Sequence, residues 1–347
     1  MAKKGKNNTF IRKIMMNNKF SALVVREHDG RFSMAVEEVP ATKLPKNDVL
    51  IKVSYSAVNY KDALSASGNK GVTKVFPHVP GIDAAGRVIS SAVDQFSPGD
   101  RVLVTGYDLG MNTWGGFGQY ISVPAGWVVK LPENLTPAQA MCFGTAGLTA
   151  GLSIDSLLNS QLIKHGGKII VSGATGGVGS MAVAILSKLG YEVIAISGKH
   201  ETGFLTETLG ASAVIARDGF VQQYDAKAMH RAEFDGGIDT VGGAVLSGIL
   251  KSVKYNGVVT CCGNVSSAQL TTSIFPFILR GARLIGIDSV EQPLAVKEKI
   301  WHLLANPWRP MALADMAQEI TLGQLPGFLE AILKGEVKGR LIVRHDD

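Results

Sequence analysis

Two short groups of residues in this chain have the types and spacing to hold a phosphorylated cofactor. Ala174 to Gly179 reads A-x-G-x-x-G, directly after the apolar run Ile169, Ile170, Val171 and directly before a stretch of helical periodicity. Glycines at that spacing let backbone N–H groups approach a pyrophosphate at a helix N-terminus. About 20 residues on, a second strand should end beside the adenosine ribose. There stand Ser197, Gly198 and Lys199, and the first acid is Glu201. An NAD binder carries Asp or Glu at that point to accept bonds from the ribose hydroxyls, and such a carboxylate would repel a 2′-phosphate. A hydroxyl and an ammonium suit the phosphate through charge-assisted bonds, so NADPH is expected over NADH. The glycines alone are a weak signal; strand, turn, helix and strand in order are what give them weight.

The elements that must carry these groups follow from periodicity. Val178, Met181, Ala182, Ile185, Leu186 and Leu189 recur at helical spacing, Gly190 stands where a C-terminal cap is expected, and Glu192 to Ser197 supplies the second strand. Ser212 to Ala216, Ile238 to Val241, Val258 to Cys262 and Arg283 to Ile287 read as further strands. Their alternation with helical stretches predicts a right-handed, parallel, doubly wound sheet. Phe20 to Gly126 instead shows short β-rich pieces, SALVV, DVLIKVSYSAV, RVLVTG and YISVPA, between Pro, Gly and Asp turns, which predicts a barrel-like domain. A helical stretch of small residues from Thr136 to Leu158 marks the hinge. The terminal strand RLIVR has no role in the doubly wound sheet and is assigned back to the first domain.

Composition narrows the function classes. With 46% hydrophobic and 18% charged residues the chain is globular, and part of its formal +6 charge comes from Lys3, Lys4, Lys6, Arg12, Lys13 and Lys19. No Lys/Arg stripe with interleaved aromatics follows, so no nucleic-acid partner is expected. The first 18 residues lack the apolar core of a secretory signal, and Gly173 to Gly179 interrupts the longest apolar run, so no membrane partner is expected either. Cys142, Cys261 and Cys262 make no disulfide framework, which suits a reducing cytoplasm. No G-x-S-x-G elbow points to a hydrolase.

With SAVNYKD (Ser56 to Asp62), VPGIDAAGRV (Val79 to Val88), SPGDRV (Ser97 to Val102), WGGFGQY (Trp114 to Tyr120), GTAGLTA (Gly144 to Ala150) and GATGGVG (Gly173 to Gly179) in this order, the chain resembles the medium-chain dehydrogenase/reductase superfamily. The resemblance implies an α/β fold: a GroES-like β-rich catalytic domain over 19–142 and 291–347, and a Rossmann NADPH-binding domain over 143–290, after a basic extension or tag over 1–18. Zinc relatives need a Cys, a His-Glu pair and a second Cys where this chain has Asn59, Ile82 with Asp83, and Cys142, so no metal is expected. The variants NYKDAL, FPHVPGIDAAG, PFILR and IGIDSV are similar to the acryloyl-CoA reductase group of the zinc-free, quinone oxidoreductase-like branch. That likeness implies NADPH-dependent reduction of the carbon–carbon double bond of a short α,β-unsaturated acyl-CoA, in a cytoplasmic homodimer.

Carried over residue by residue, the resemblance implies cofactor contacts from Tyr60, Thr175, Gly176, Gly177, Val178, Ser197, Gly198, Lys199, Arg217, Asn264, Ile278 and Ser289. The catalytic candidates are Asn59, Tyr60 and Asp62. Hydride delivery to the β-carbon leaves negative charge on the thioester oxygen, for which Asn59, backbone N–H groups or a cofactor hydroxyl are candidate donors. Tyr60 is read both as a cofactor contact and as the proton donor to the α-carbon. Asp62 either orients Tyr60 or Lys61 or caps a helix. Arg340 reaches a phosphate or is an exposed structural residue. Two rivals stay open: a quinone or other enone reductase, and a non-catalytic NADPH-binding protein.

Overall fold

The computed structural model describes residues 18–345; residues 1–17, with Lys3, Lys4, Lys6, Arg12 and Lys13, lie outside the described residues. The chain divides into two compact units. Among the described residues the first is 18–145 with Val290–Glu298 and 317–345; the second is Ala146–Ser289 with Lys299–Met316. The second unit thus takes in 299–316, whereas the resemblance implies 291–347 in the first. Buried Trp301, Leu304 and Trp308 in that piece give it an apolar face to cover.

Along the chain the strands and helices are β1 (Lys19–His28), β2 (Arg31–Pro40), β3 (Val49–Val58), α1 (Tyr60–Ala66), β4 (Asp83–Ser91), β5 (Arg101–Thr105), β6 (Tyr120–Val123), β7 (Val128–Lys130) and α2 (Pro137–Asn159). There follow β8 (Lys168–Val171), α3 (Gly177–Lys188), β9 (Glu192–Ser197), β10 (Ala213–Ala216), α4 (Arg217–Tyr224), β11 (Phe234–Asp239), α5 (Gly243–Ser252), β12 (Val253–Cys261), α6 (Phe275–Arg280) and β13 (Arg283–Gly286). The chain closes with α7 (Leu294–Ala305), β14 (Ala317–Thr321), α8 (Leu325–Leu333) and β15 (Arg340–Arg344).

In the first unit, β14-β15-β3-β4-β5-β7 form one sheet with β6 also on β3, and β1 and β2 make a separate hairpin through an Asp29-Gly30 turn. β15 pairs antiparallel with β3, which is why the C-terminal strand belongs here. Alternating apolar residues such as Val49, Ile51 and Val53 face a core shared with Val102, Val104, Ile121 and Val128. Helix α2 passes the length and composition test for a membrane span, but 78% of that window is buried inside the fold, as in a core helix.

In the second unit the six strands run β10-β9-β8-β11-β12-β13, and every neighbouring pair is parallel. The order reverses between β8 and β11, and ligands of such sheets bind beyond the carboxyl ends of the strands at that reversal. β11 differs from its expected place: it is FDGGID, ending at Asp239 rather than running to Val241. Gly236 and Gly237 weaken the local strand pattern, but neighbours on both sides impose it. Their missing side chains matter, since a Cβ at Gly237 would lie 2.7 Å from Ile249.

Candidate functional site

Within the second unit the carboxyl edge of the sheet carries the groups expected from the sequence. After β8 the chain turns through Gly173 and starts α3, whose first intrahelical bond runs from Ser180 N to Gly176 O at 2.9 Å. The N–H groups of Gly177, Val178 and Gly179 precede that bond and form the positive end of the helix. Thr175 is nearly buried beside them. A Cβ at Gly179 would sit 2.3 Å from Gly173 O, so only glycine lets the turn fold this tightly onto the helix start.

At the end of β9, Ser197 Oγ accepts from Lys199 N at 2.9 Å, which bends the strand into a turn. A Cβ at Gly198 would meet the Arg217 guanidinium at 3.1 Å, so Arg217, at the start of α4, lies against this turn. Burial lowers the Lys199 pKa and Glu201 opposes the shift. The Ser197 hydroxyl and the Arg217 guanidinium, the latter 3.3 Å from Asp218 Oδ1, thus lie at one strand end next to Lys199, residue types that suit a 2′-phosphate.

The reversal point itself is held by residues that the sequence reading did not single out. Ser172 Oγ donates to Asp239 Oδ1 at 2.7 Å, and Asp239 Oδ2 takes the Gly242 N–H at 2.8 Å. Thr240 N donates back to Ser172 Oγ at 2.9 Å, which ties the ends of β8 and β11 together. The Asp-Thr-Val-Gly turn ahead of α5 was the available signal. Asn264 lies exposed just past β12. Ser289 is buried and accepts a hydrogen bond from Thr149 at 2.7 Å. Ile278 stands away from this edge. Ser273 just before α6 donates to Ala228 O, and Arg280 at its end donates to Lys251 O and Val253 O, both at the amino end of the strands.

In the first unit a second group forms around α1. Asn59 and Asp62 make a capping box, with Asn59 N donating to Asp62 Oδ2 at 2.7 Å, while Asp62 Oδ1 takes the Ile82 N–H at 2.9 Å. Asp62 is therefore the helix-capping carboxylate of the two roles considered. Burial, then the nearby Asp83 charge, pushes its pKa up to about 7. Tyr60, in the first turn of α1, is 55% exposed. Asp83 is buried and its pKa is raised by that burial. It accepts from Asn59 Nδ2 at 2.8 Å, from Thr145 N at 2.7 Å and from Thr145 Oγ1 at 2.5 Å.

Arg340 corrects both of its sequence readings. It is buried, and its Nε and Nη1 donate to Cys142 O and Val58 O at 3.1 and 3.2 Å, so it is neither exposed nor presented to a phosphate. The positions that bind zinc in relatives do not fit a metal here. Asn59 turns its amide N–H toward Asp83, two of whose oxygen directions are taken by Thr145, and burial holds the Cys142 thiol near 11. Among the described residues no group of three or more His, Cys, Asp or Glu side chains could hold a metal ion.

A doubly wound sheet with a glycine turn at a helix start, joined to a β-rich unit, is the architecture of nucleotide-dependent dehydrogenases and reductases. The chain matches the Alcohol dehydrogenase GroES-like domain over residues 45–133 and the Zinc-binding dehydrogenase family over 177–306. It belongs to the medium-chain dehydrogenase/reductase superfamily. It is 42% identical over 326 residues to acrylyl-CoA reductase AcuI of Ruegeria pomeroyi, covering 93% of this chain and 98% of that protein. Among solved structures it is similar to Escherichia coli K-12 YhdH with bound NADPH, at 39% identity and a TM-score of 0.89, covering 94% of this chain and all of that one. It is also similar to Bacillus subtilis YhfP with bound NAD, at 40% identity and a TM-score of 0.91, covering 95% and 100%.

Proposed function

We propose that this protein is an NADPH-dependent reductase of the carbon–carbon double bond of a short α,β-unsaturated acyl-CoA, converting acryloyl-CoA to propanoyl-CoA without a metal. The observation that carries the cofactor choice is the Ser197-Gly198-Lys199 turn with Arg217 against it. The likeness to AcuI over nearly the whole of both chains supports the substrate class.

Bound NADPH supplies the hydride. The chain's residues do the rest. The first-turn N–H groups of α3 hold the pyrophosphate, and Ser197, Lys199 and Arg217 hold the 2′-phosphate. Tyr60 keeps a proton at Oη for the α-carbon, on a helix start held by the Asn59–Asp62 capping box. Asn59, whose amide donates to Asp83, acts through position more than as an oxyanion donor.

NADPH oxidation with acryloyl-CoA is expected to exceed that with benzoquinone by more than about tenfold, or 1.4 kcal/mol, at matched concentrations. A smaller ratio would overturn the substrate claim in favour of a quinone or other enone reductase, the reading supported by the quinone oxidoreductase name that YhfP carries. Tight NADPH binding with no oxidation across a panel of enones would instead favour a non-catalytic NADPH-binding protein. Tyr60→Phe is expected to slow single-turnover reduction by about a hundredfold, and an unaltered rate rejects the phenol as proton donor.

The proposed setting is the cytoplasm, with a homodimer as the working assembly. β13 is the edge strand of its sheet, and in the stretch just before it Ile274, Phe275, Ile278 and Leu279 are exposed by 64, 42, 62 and 53%. Two such edges paired antiparallel about a twofold axis would cover these residues. Sedimentation equilibrium should give twice the chain mass, and Ile278→Asp should shift it toward monomer; a monomeric wild-type protein would refute the dimer.

A further inference from the structure

Separate stretches of the first unit converge on one buried carboxylate. Asp83 receives Asn59 Nδ2 from the turn before α1, and Thr145 N and Oγ1 from just beyond the break in α2. Burial raises the Asp83 pKa, and the Thr145 and Asn59 hydrogen bonds and the Arg340 charge, brought in by β15, oppose that shift. Oδ2 accepts from both stretches, Asn59 Nδ2 and Thr145 N, while Oδ1 takes the Thr145 hydroxyl, so one side chain holds donors from both at once. The geometry at Thr145 is also particular. Gly144, at φ 51° and ψ −155°, lets the chain break helical form so that the Thr145 N–H points at Asp83. Asp83 therefore fastens the residue before Tyr60 to the helix break.

We propose that Asp83 is a positioning residue for the reduction: by holding Asn59 and Thr145 on one carboxylate, it fixes the orientation in which the α1 start presents Tyr60. The kinetic part of this inference rests on the role given to Tyr60 above, whereas the coupling between the two stretches does not.

Thr145→Val removes the hydroxyl donor and keeps the backbone N–H and the side-chain shape; Thr145→Ser keeps the hydroxyl. Hydrogen exchange followed by mass spectrometry should show faster exchange in the Thr145→Val protein at 144–146 and also at 59–66. The serine variant should exchange at wild-type rates in both. With NADPH saturating, kcat for acryloyl-CoA should fall about tenfold in Thr145→Val while KM and the NADPH Kd stay within about twofold, since a small misplacement of a catalytic group slows chemistry more than binding. Faster exchange confined to 144–146 overturns the coupling. Faster exchange at 59–66 with kcat unchanged overturns the positioning role. A wild-type protein inactive toward enoyl-CoA refutes the proposed reaction, and the exchange experiment still decides the coupling.

Discussion

Gly144→Ala is expected to destabilise the protein by about 4 kcal/mol, seen as a fall of roughly 10 °C in the thermal midpoint. Two independent penalties meet at this residue. Its φ of 51° with ψ −155° is open to glycine but strained for any residue with a Cβ. A Cβ would also lie 2.5 Å from Asp83 Oδ2, and 2.9 Å from both Ala57 Cβ and Arg340 Nη2. None of these neighbours is a loose end. Asp83 is held by the Asn59 and Thr145 donors, Arg340 by two backbone carbonyls, and Ala57 lies in β3. Relief therefore requires separating a buried carboxylate from its donors, at about 1 to 3 kcal/mol for each group left unsatisfied. Gly126→Ala is the control, because a Cβ there meets nothing within 4 Å, and it should leave the midpoint within about 2 °C. A Gly144→Ala midpoint equally close to wild type would mean that this network yields freely.

Lys199→Glu is expected to weaken NADPH binding by between about one hundred and one thousandfold, or about 3 to 4 kcal/mol, with little change for NADH. The substitution removes an ammonium from a phosphate and puts a carboxylate in its place, close to Glu201, which already acts on this lysine. Lys199 is only partly buried, so solvent screening holds the effect near the lower end of that range. Arg217 remains beside Gly198 and retains part of the phosphate affinity. Fluorescence titration with both nucleotides reads the ratio directly. An unchanged ratio of NADPH to NADH dissociation constants would sink the assignment of this turn to the 2′-phosphate.

The doubly wound sheet was legible because its signals are local. The apolar run before Gly173, the helical spacing from Val178 to Leu189 and the cap at Gly190 each depend on residues within one or two turns, and all three stand in the structure. The strand at β11 was misplaced because Phe234 to Asp239 contains two glycines, whose strand conformation comes from β8 and β12 on either side. Ile278 lay in a motif that follows a strand in sequence, yet the anchoring of Arg280 to Lys251 and Val253 carries α6 to the other end of the sheet.

The sequence by itself determined the kind of chemistry. A helix start with glycines and a strand end with hydroxyl and ammonium act over a few residues, so the expectation of an anion site rests on their types and spacing alone. Tertiary structure alone decided what the remaining polar residues do. Asn59, Asp83, Thr145 and Arg340 are far apart along the chain. Whether a carboxylate binds metal, transfers a proton or fastens two stretches depends on which donors occupy its lone pairs. Those donors are brought by the pairing of β15 with β3 and the break at Gly144, long-range contacts with no periodicity to announce them.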